Sequence, residues 1–425
     1  MIVNVKQREK RERMNLSRDG TLLFMTRIVR LFAYGFLSIV LVLYLEQIGL
    51  NGYQIGLLLA LTLVGDTVIS LFITTRADRT GRKKMLIIGA ILMLFAGVIF
   101  ALTRDFVVLL IAAIIGVISP SGNEVGPFLS IEQSSLSHIV SDRKRTRVFA
   151  WYNMLGSFAT ASGAIAGGWI AQVMQYGGAN PLDSYRSVVI GYAIFGVVLV
   201  ILFSRLSTKV EIDRSKANWN AKSLLGLHRS KKVVFKLSAL FSLDAFGGGF
   251  IVQSIMAYWF FVRFGTEPGM LGTIFFFANL LAGVSALAAV RIAEKIGLIR
   301  TMVFTHLPSN VLLILIPLMP DFGSALALLL IRFSISQMDV PTRQSYVIAV
   351  VSEDERSAAA GITGIARTIG QSAALMFTGV LLNDSPLLSY TFIIAGVVKI
   401  IYDLSLFFSF RSIRPSEEIG EGTHG

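Results

Sequence analysis

Long apolar runs dominate this sequence and set the strongest limit on how it can fold. A helix needs about 20 apolar residues to cross a lipid bilayer, and the chain holds twelve candidate runs. They lie at 21–45, 54–75, 86–103, 106–138, 148–175, 186–206, 233–262, 269–292, 298–319, 323–351, 357–382 and 388–410. We call them spans 1 to 12. Because backbone polar groups find no water inside lipid, such runs must be helical, and the sequence predicts an all-α integral membrane protein.

Composition argues against other classes of protein. Charged residues make up 15% of the 425 residues, against about 25% in a soluble domain. The net charge is +13, but the basic residues collect in loops and tails, so no nucleic-acid partner is expected. The chain has no cysteine and four scattered histidines, which predicts neither disulfides nor a metal site. Without a nucleotide-binding glycine loop or a nucleophile elbow, we expect no enzyme and no cofactor.

The distribution of lysine and arginine predicts the orientation in the membrane. Basic residues collect after span 2, after span 4 and between spans 6 and 7, whereas the intervening loops hold few charges. Lysine and arginine are retained on the cytoplasmic side. An even number of spans then places both termini in the cytoplasm. We expect a multi-pass protein of the plasma (cell inner) membrane.

The two halves of the chain resemble each other. Residues 131–134 and 141–146 align with 342–345 and 352–357 at one constant offset of 211. The resulting units are a basic tail at 1–20, a six-helix bundle at 21–206, a central loop at 207–231, a second six-helix bundle at 232–410 and a tail at 411–425. Duplication of this kind is typical of transporters with a midplane site between the halves.

The short loop between spans 2 and 3 carries a recognisable motif, ADRTGRKK at 77–84. Together with the twelve spans, the central loop and the internal repeat, it resembles the major facilitator superfamily over essentially all of 21–410. The resemblance implies two pseudo-symmetric bundles that rock about a central site.

In that family the loop is understood as a cytoplasmic latch that braces the two halves in the outward-facing state. The resemblance carries the bracing role to Asp78 and the basic roles to Arg79 and Arg82. Gly81 permits the tight reversal of the chain. Thr74 stands where the family usually has glycine, so close packing at the end of span 2 is less strongly implied.

Span 5 contains a glycine-rich stretch, 161–168, that is similar to a signature of the family's proton-driven exporters. Ala164 occupies the position at which that signature usually has proline. Small residues on one helix face also serve ordinary close packing between membrane helices. The stretch therefore indicates either an exporter or a tightly packed helix pair.

Four carboxylates interrupt the apolar spans: Asp66, Glu124, Asp244 and Asp339. An ionisable group at mid-span costs about 2.5–3.5 kcal/mol, so each should line a cavity or have a partner. Glu124, Asp244 and Asp339 lie beside glycine or proline disruptions of their helices. Such a carboxylate can bind and release a proton as the cavity changes sides. Asp244, whose span holds no basic residue in its interior, is the first candidate for a proton or cation site, and Glu124 is the second.

Arginines within the spans offer a structural alternative. Four of them, Arg27, Arg30, Arg332 and Arg343, could neutralise these acids as structural pairs. If Arg30 and Arg332 point into the cavity, they could instead bind an organic anion. Asp339 and Arg343 are four residues apart on one helix face, which predicts a structural pair. Asp66 lies about level with Arg30 and is either paired with it or a proton carrier.

The repeat predicts one further pair. Glu132 and Arg343 occupy the same repeat position on spans 4 and 10. The pseudo-twofold axis would bring their opposite charges together across the cytoplasmic half of the pathway. We hypothesise that they form a salt bridge that closes the inner gate when the protein faces outward, so that charge reversal at one position should impair transport and a double swap should restore it.

The sequence thus predicts a secondary transporter that moves a small organic solute by alternating access. Proton-coupled antiport that exports drug-like amphiphiles is the first hypothesis, with the proton gradient as the energy source. An organic-anion or proton-symport carrier is the alternative within transport, and a non-transporting membrane receptor or sensor of the same fold is the alternative outside it. The expected partners are the solute, protons and the lipid bilayer, and the resemblance implies a monomer.

Overall fold

The computed structural model describes most of the chain. The described ranges are 17–140, 142–211, 227, 229–352, 355–383 and 385–410, without the side chains of 78–79, 138, 142–147, 150, 357 and 385. Every long element in these ranges is a helix. Ten segments are long and apolar enough to cross a membrane.

The helices form the two predicted six-span bundles. The first half contains Arg18–Ser38 and Leu41–Gln47 (span 1), Gly52–Thr80 (span 2), Arg82–Leu102 (span 3), Phe106–Ile115 and Phe128–Ile139 (span 4), Asp142–Tyr176 (span 5) and Pro181–Ser204 (span 6). The second half contains Lys231–Gly249 and Gln253–Phe264 (span 7), Pro268–Ile296 (span 8), Leu298–Leu315 (span 9), Phe322–Ser336 and Asp339–Ala349 (span 10), Arg356–Leu381 (span 11) and Tyr390–Phe410 (span 12). The all-α, twelve-span prediction is confirmed.

Local side-chain chemistry explains where several spans begin. Asn51 and Gln54 exchange side-chain to backbone hydrogen bonds at the start of span 2, which forms a capping box. The Asp321 carboxylate accepts the Ser324 amide at the start of span 10, and that bond lowers the pKa of Asp321. Gly81 alone separates spans 2 and 3, and its φ of +119° requires glycine. The predicted tight reversal is therefore confirmed.

Spans 1, 4, 7 and 10 are each split into two helices, which places the splits in matching positions of the repeat. The splits fall at 39–40, 116–127, 250–252 and 337–338. In span 4 the predicted loosening is confirmed, and glycines with positive φ stand at 122 and 126. In span 7 the helix runs through its three glycines and ends directly after them. The split in span 1 was not predicted, because it contains neither glycine nor proline.

The two halves meet along a seam at one end of the molecule. We call the end that holds Gly81 the basic side and the other end the opposite side. At the opposite side, span 2 packs on span 11 and span 5 on span 8 with backbones in close approach. A Cβ on Gly56 would lie 2.4 Å from the Gly379 Cα, and one on Gly168 would lie 2.9 Å from the Gly272 Cα. Only glycine fits this seam.

Hydrogen bonds reinforce the same seam. They join Gly52 to Asn383 (2.8 Å), Gln172 to Gly269 (2.7 Å), Tyr176 to Glu267 (2.7 Å), Tyr258 to Glu46 (3.0 Å) and Gln253 to Ser38 (2.8 Å). These bonds all lie on the opposite side, whereas span 11 has open space toward the basic side beside Gly361 and Gly364. The central cavity therefore opens toward the basic side, which is an inward-open conformation when the basic side is taken as cytoplasmic.

Candidate functional site

A buried ionic cluster in the first half, here called the N-terminal cluster, joins spans 1 and 4. Arg30 is completely buried and donates to both oxygens of Glu132 at 2.8 Å and to Glu124 at 2.9 Å. Arg27 donates to Glu124 at 2.7 Å. Tyr152 of span 5 adds a hydroxyl donor to Glu132. Two guanidinium groups face two carboxylates, so the cluster is formally neutral, as a buried ionic group requires. One donor, the Arg27 Nε, is buried without a hydrogen-bond partner.

A second cluster, the C-terminal cluster, is centred on Asp244. Its carboxylate accepts from the Lys399 ammonium at 2.6 Å and from Arg343 at 3.0 Å. Arg367 lies 3.5 Å away and is one-third exposed. Arg343 also donates to Asp339 at 2.8 Å, which confirms the predicted i, i+4 pair. Asp244 thus has three cationic neighbours, from spans 10, 11 and 12.

The C-terminal cluster extends to a histidine. His306 of span 9 shares a hydrogen bond of 2.8 Å with Asp403 of span 12. Its other ring nitrogen lies 3.9 Å from Asp244. Asn310, one turn from His306, donates to the second oxygen of Asp403 at 2.9 Å. The cluster therefore links carboxylates of spans 7, 10 and 12 through groups that carry or accept protons.

Two charged side chains stand apart from these pairs. Asp66 is half-buried, and one of its carboxylate oxygens, Oδ1, is buried without a hydrogen-bond partner. No cation of the described residues lies within ion-pair distance of it, so the alternative pairing with Arg30 is not formed. Arg332 is 6% exposed, its Nε is buried without a partner, and no carboxylate of the described residues lies within 4 Å.

The motif between spans 2 and 3 is held by a residue that sequence reasoning missed. Glu211, at the start of the central loop, accepts from the amide of Arg82 at 2.7 Å and from that of Lys83 at 3.1 Å. A carboxylate at this position satisfies the free amides at the start of span 3. The Arg82 side chain reaches Ser134 of span 4 at 2.5 Å. These contacts join the motif to span 4 and to the start of the central loop.

The remaining gate predictions concern a different conformation or fall outside the described residues. The side chains of Asp78 and Arg79 lie outside the described set, so their bracing role stays a prediction. Glu132 and Arg343 each bind partners within their own half. The bridge between them was predicted for the outward-facing state and is not formed in this conformation, so it also stays a prediction.

The structure brings together several groups that were not identified as site residues from the sequence. These are Tyr152, His306, Arg367, Lys399 and Asp403. The signal that could have found Lys399 and Asp403 is their position as the two charges inside span 12, where an ionisable group is expensive unless it has a partner. Their partners stand on other spans and are set by packing.

Comparison with known proteins agrees with this architecture. The Major Facilitator Superfamily model matches residues 23–374. The chain belongs to the Major Facilitator Superfamily. It is therefore a membrane transporter of a solute by fold and family. An uncharacterised membrane protein of Saccharomyces cerevisiae, YJR124C, is 31% identical over 92% of this chain and 93% of that protein.

More distant similarities accompany this match. The quinolone resistance protein NorA of Staphylococcus aureus is 26% identical over 38% of this chain and 39% of its own length. The crystal structure of the nucleoside transporter NupG superposes with a TM-score of 0.72 at 13% identity, and the match covers 93% of this chain and 100% of that one. At that identity, the structural likeness concerns the fold alone.

Proposed function

We propose that this superfamily member is a proton-coupled secondary transporter in which Asp66 carries the proton. The observation that carries the proposal is the unpaired carboxylate of Asp66 in the middle of span 2. A carboxylate in the interior of a membrane span without a counter-charge is disfavoured as an anion, and it avoids that cost by taking up a proton. A group that is neutral in one environment and ionised in another can couple proton movement to a change of conformation.

The surroundings of Asp66 support this role over the other carboxylates. Its polar neighbours include the Gly126 amide, the Ser70 hydroxyl and the Glu124 carboxylate, and none of these is a cation. Asp244, the leading candidate from the sequence, is instead held by three cations from other spans. Glu124 is held by two arginines. Both of these carboxylates already have fixed cationic partners, which leaves Asp66 as the group best placed to exchange a proton.

The second part of the proposal concerns the direction of transport and the class of solute. Export of a drug-like amphiphile in exchange for protons is supported by the similarity to NorA, whose name records quinolone resistance. The second candidate is proton symport of an organic anion, which the unpaired guanidinium of Arg332 favours. In both cases the solute enters the cavity between the two ionic clusters.

Proton movement in proteoliposomes tests the coupling. Purified protein is reconstituted with a pH-sensitive dye inside the vesicles, and cationic amphiphiles and organic anions are added in turn. We expect at least one solute to produce a proton flux with wild-type protein and at least a tenfold smaller flux with Asp66→Asn. Asp183→Asn, at an exposed ion pair on the opposite side, serves as the matched control and should behave as wild type.

Two results would contradict the proposal. A full proton flux with Asp66→Asn and a lost flux with Asp244→Asn would identify Asp244, and not Asp66, as the proton carrier. Solute-dependent changes in protein conformation without flux of any solute would favour the non-transporting receptor or sensor.

A further inference from the structure

We infer that His306 is a second proton-binding site of the transporter, at which an exchangeable proton on the ring joins the carboxylates of Asp403 and Asp244. The inference rests on the proposed function only for the use of this proton in transport. His306 lies inside span 9 and is 4% exposed, and the coupling through Asp66 does not use it. An ionisable group inside a membrane span has a partner or a function, and histidine is the side chain whose charge changes most readily near neutral pH.

The two ring nitrogens of His306 face two different carboxylates. Nδ1 lies 2.8 Å from Oδ1 of Asp403 in span 12, and Nε2 lies 3.9 Å from Oδ1 of Asp244 in span 7. A neutral imidazole has a hydrogen on one nitrogen only, whereas the charged ring has a hydrogen on both. The charged ring therefore offers a hydrogen to each carboxylate, and the surroundings are complementary to the protonated form.

Asp403 depends on this ring for its counter-charge. Its side chain is completely buried in span 12. Among the residues that the structure describes, His306 is the one basic group within 4 Å of the Asp403 carboxylate. Because a buried carboxylate without a partner of opposite charge is costly, a proton on the ring stabilises the pair.

Asn310 determines which nitrogen keeps its hydrogen when the ring is neutral. The Asn310 amide nitrogen donates to Oδ2 of Asp403 at 2.9 Å, and it also lies 3.2 Å from Nδ1 of His306. An ionised carboxylate only accepts hydrogen bonds, so both the Asn310 amide and the ring donate to Asp403. Nδ1 therefore carries a hydrogen in both forms of the ring. The exchangeable proton is the one on Nε2, beside Asp244.

Several groups from other spans influence how strongly that proton is held. The charged and titratable groups that interact with the ring or with its two carboxylates are Asp403, Lys399 and Tyr402 of span 12, Asp244 of span 7, Asp339 and Arg343 of span 10 and Arg367 of span 11. The carboxylates favour the charged ring. The three cations oppose it, since all of them contact Asp244. Asp403 is thus the group that holds the proton, and Asp244 is the group whose attraction is shared.

Asp244 also connects the ring to the water of the cavity. Its Oδ1 faces His306, and its Oδ2 lies 3.5 Å from Arg367. The Arg367 side chain is one-third exposed, and a charge with that exposure inside a membrane span faces a water-filled cavity. A proton can therefore exchange between the cavity and Nε2 along the Asp244 carboxylate. The Asp403 side of the ring is closed to water.

Close packing confines the ring between these partners. A Cβ on Gly396 of span 12 would lie 2.9 Å from the Asn310 carbonyl oxygen, and one on Gly247 of span 7 would lie 3.1 Å from the Ala395 carbonyl oxygen. Spans 7 and 9 therefore both lie directly against span 12. The Tyr402 ring also meets the His306 ring edge-on, with 6.1 Å between the ring centroids. A change of protonation thus changes the charge between fixed carboxylates.

Nitrogen NMR of the ring tests the site directly. His138, His228 and His424 are replaced by glutamine, which leaves His306 as the single histidine of the full chain. The protein is prepared with isotope-labelled histidine in lipid bilayers and titrated. We expect both ring nitrogens to carry a hydrogen at about pH 6, and Nδ1 alone to carry one at about pH 10. This titration alters no other residue of the cluster, so it does not depend on whether a cluster variant folds.

Variants of Asp403 test its role in the same background. Asp403→Asn removes the charge that holds the proton, and it should reduce the protonated fraction of the ring at neutral pH about fivefold or more. Asp403→Glu keeps the charge and should restore most of that fraction. Asp183→Asn, at an exposed ion pair on the opposite side, is the control and should leave the titration unchanged.

A transport measurement tests whether this proton is used. With Asp66 intact in the first half, His306→Gln should lower the number of protons moved per solute in proteoliposomes by about half. The proposal is overturned if the ring keeps one form throughout the titration or if the neutral ring has its hydrogen on Nε2. An unchanged number of protons per solute in His306→Gln also overturns it. The NMR titration needs no solute and no flux, so its failure and the failure of the coupling through Asp66 are distinguishable.

Discussion

Glu132→Ala is expected to destabilise the first half by about 3–5 kcal/mol, since removing one partner of a buried ion pair leaves the other charge uncompensated. Glu132 is completely buried and accepts from Arg30 twice, from Thr26 at 2.7 Å and from Tyr152. Without it, the fully buried Arg30 retains only the bond to Glu124. The loss is measured by denaturant or thermal unfolding of the purified protein in detergent.

Two controls separate the effect of burying an ion pair from the effect of changing the number of charges. One is an exposed ion pair, and the other is a double variant. Asp183→Ala breaks the pair with Arg186, in which the side chains are 52% and 28% exposed, and should change stability by less than about 1 kcal/mol. Combining Glu132→Gln with Arg30→Met removes both charges and should recover much of the lost stability. A loss below about 1 kcal/mol for Glu132→Ala would show that the N-terminal cluster does not stabilise the fold.

Gly56→Val is expected to hold the opposite side open and to abolish transport. Its Cβ would approach the Gly379 Cα to 2.4 Å and the Leu375 carbonyl oxygen to 2.7 Å, so spans 2 and 11 could not close. Overpacking at a tight contact costs about 3 kcal/mol, which shifts a two-state equilibrium more than a hundredfold. The conformation seen here, in which the opposite side is closed, would become the minor state.

Cysteine accessibility reports the shift. Ser254→Cys places one thiol at a residue that is 1% exposed, whose hydroxyl has no partner and whose amide bonds to the Pro120 carbonyl across the halves. A membrane-impermeant maleimide applied from the opposite side should label it at least tenfold faster in Gly56→Val. Gly361→Val, on the open part of span 11, is the control and should leave labelling slow. Unchanged labelling in Gly56→Val would mean that the glycine seam does not govern closure.

Much of the architecture could be predicted from the sequence because it depends on features local to each segment. The apolar runs set the number of spans, and the repeat set the division into halves. Gly81 and the prolines around Glu124 marked a turn and a loosened helix because their backbone effects act at their own positions. The split of span 1 carried no such residue.

The roles of the charged residues were harder to predict because a counter-charge can come from any neighbouring span. The absence of a basic residue in the interior of span 7 indicated that Asp244 would be unpaired, yet Lys399, Arg343 and Arg367 approach it from three other spans. Asp66 was expected to be level with Arg30, but Arg30 turns to span 4 instead. Pairing within one helix, as for Asp339 and Arg343, follows from spacing alone and was predicted correctly.

The central claim, that Asp66 carries the coupled proton, is tested most directly by comparing two transport modes of one variant. The solute that produces proton flux with wild-type protein is followed both as accumulation driven by a pH gradient and as exchange between equal concentrations on the two sides. Asn at position 66 mimics the protonated form, so Asp66→Asn should retain exchange and lose at least nine-tenths of the accumulation. Accumulation at the wild-type level by Asp66→Asn would contradict the claim.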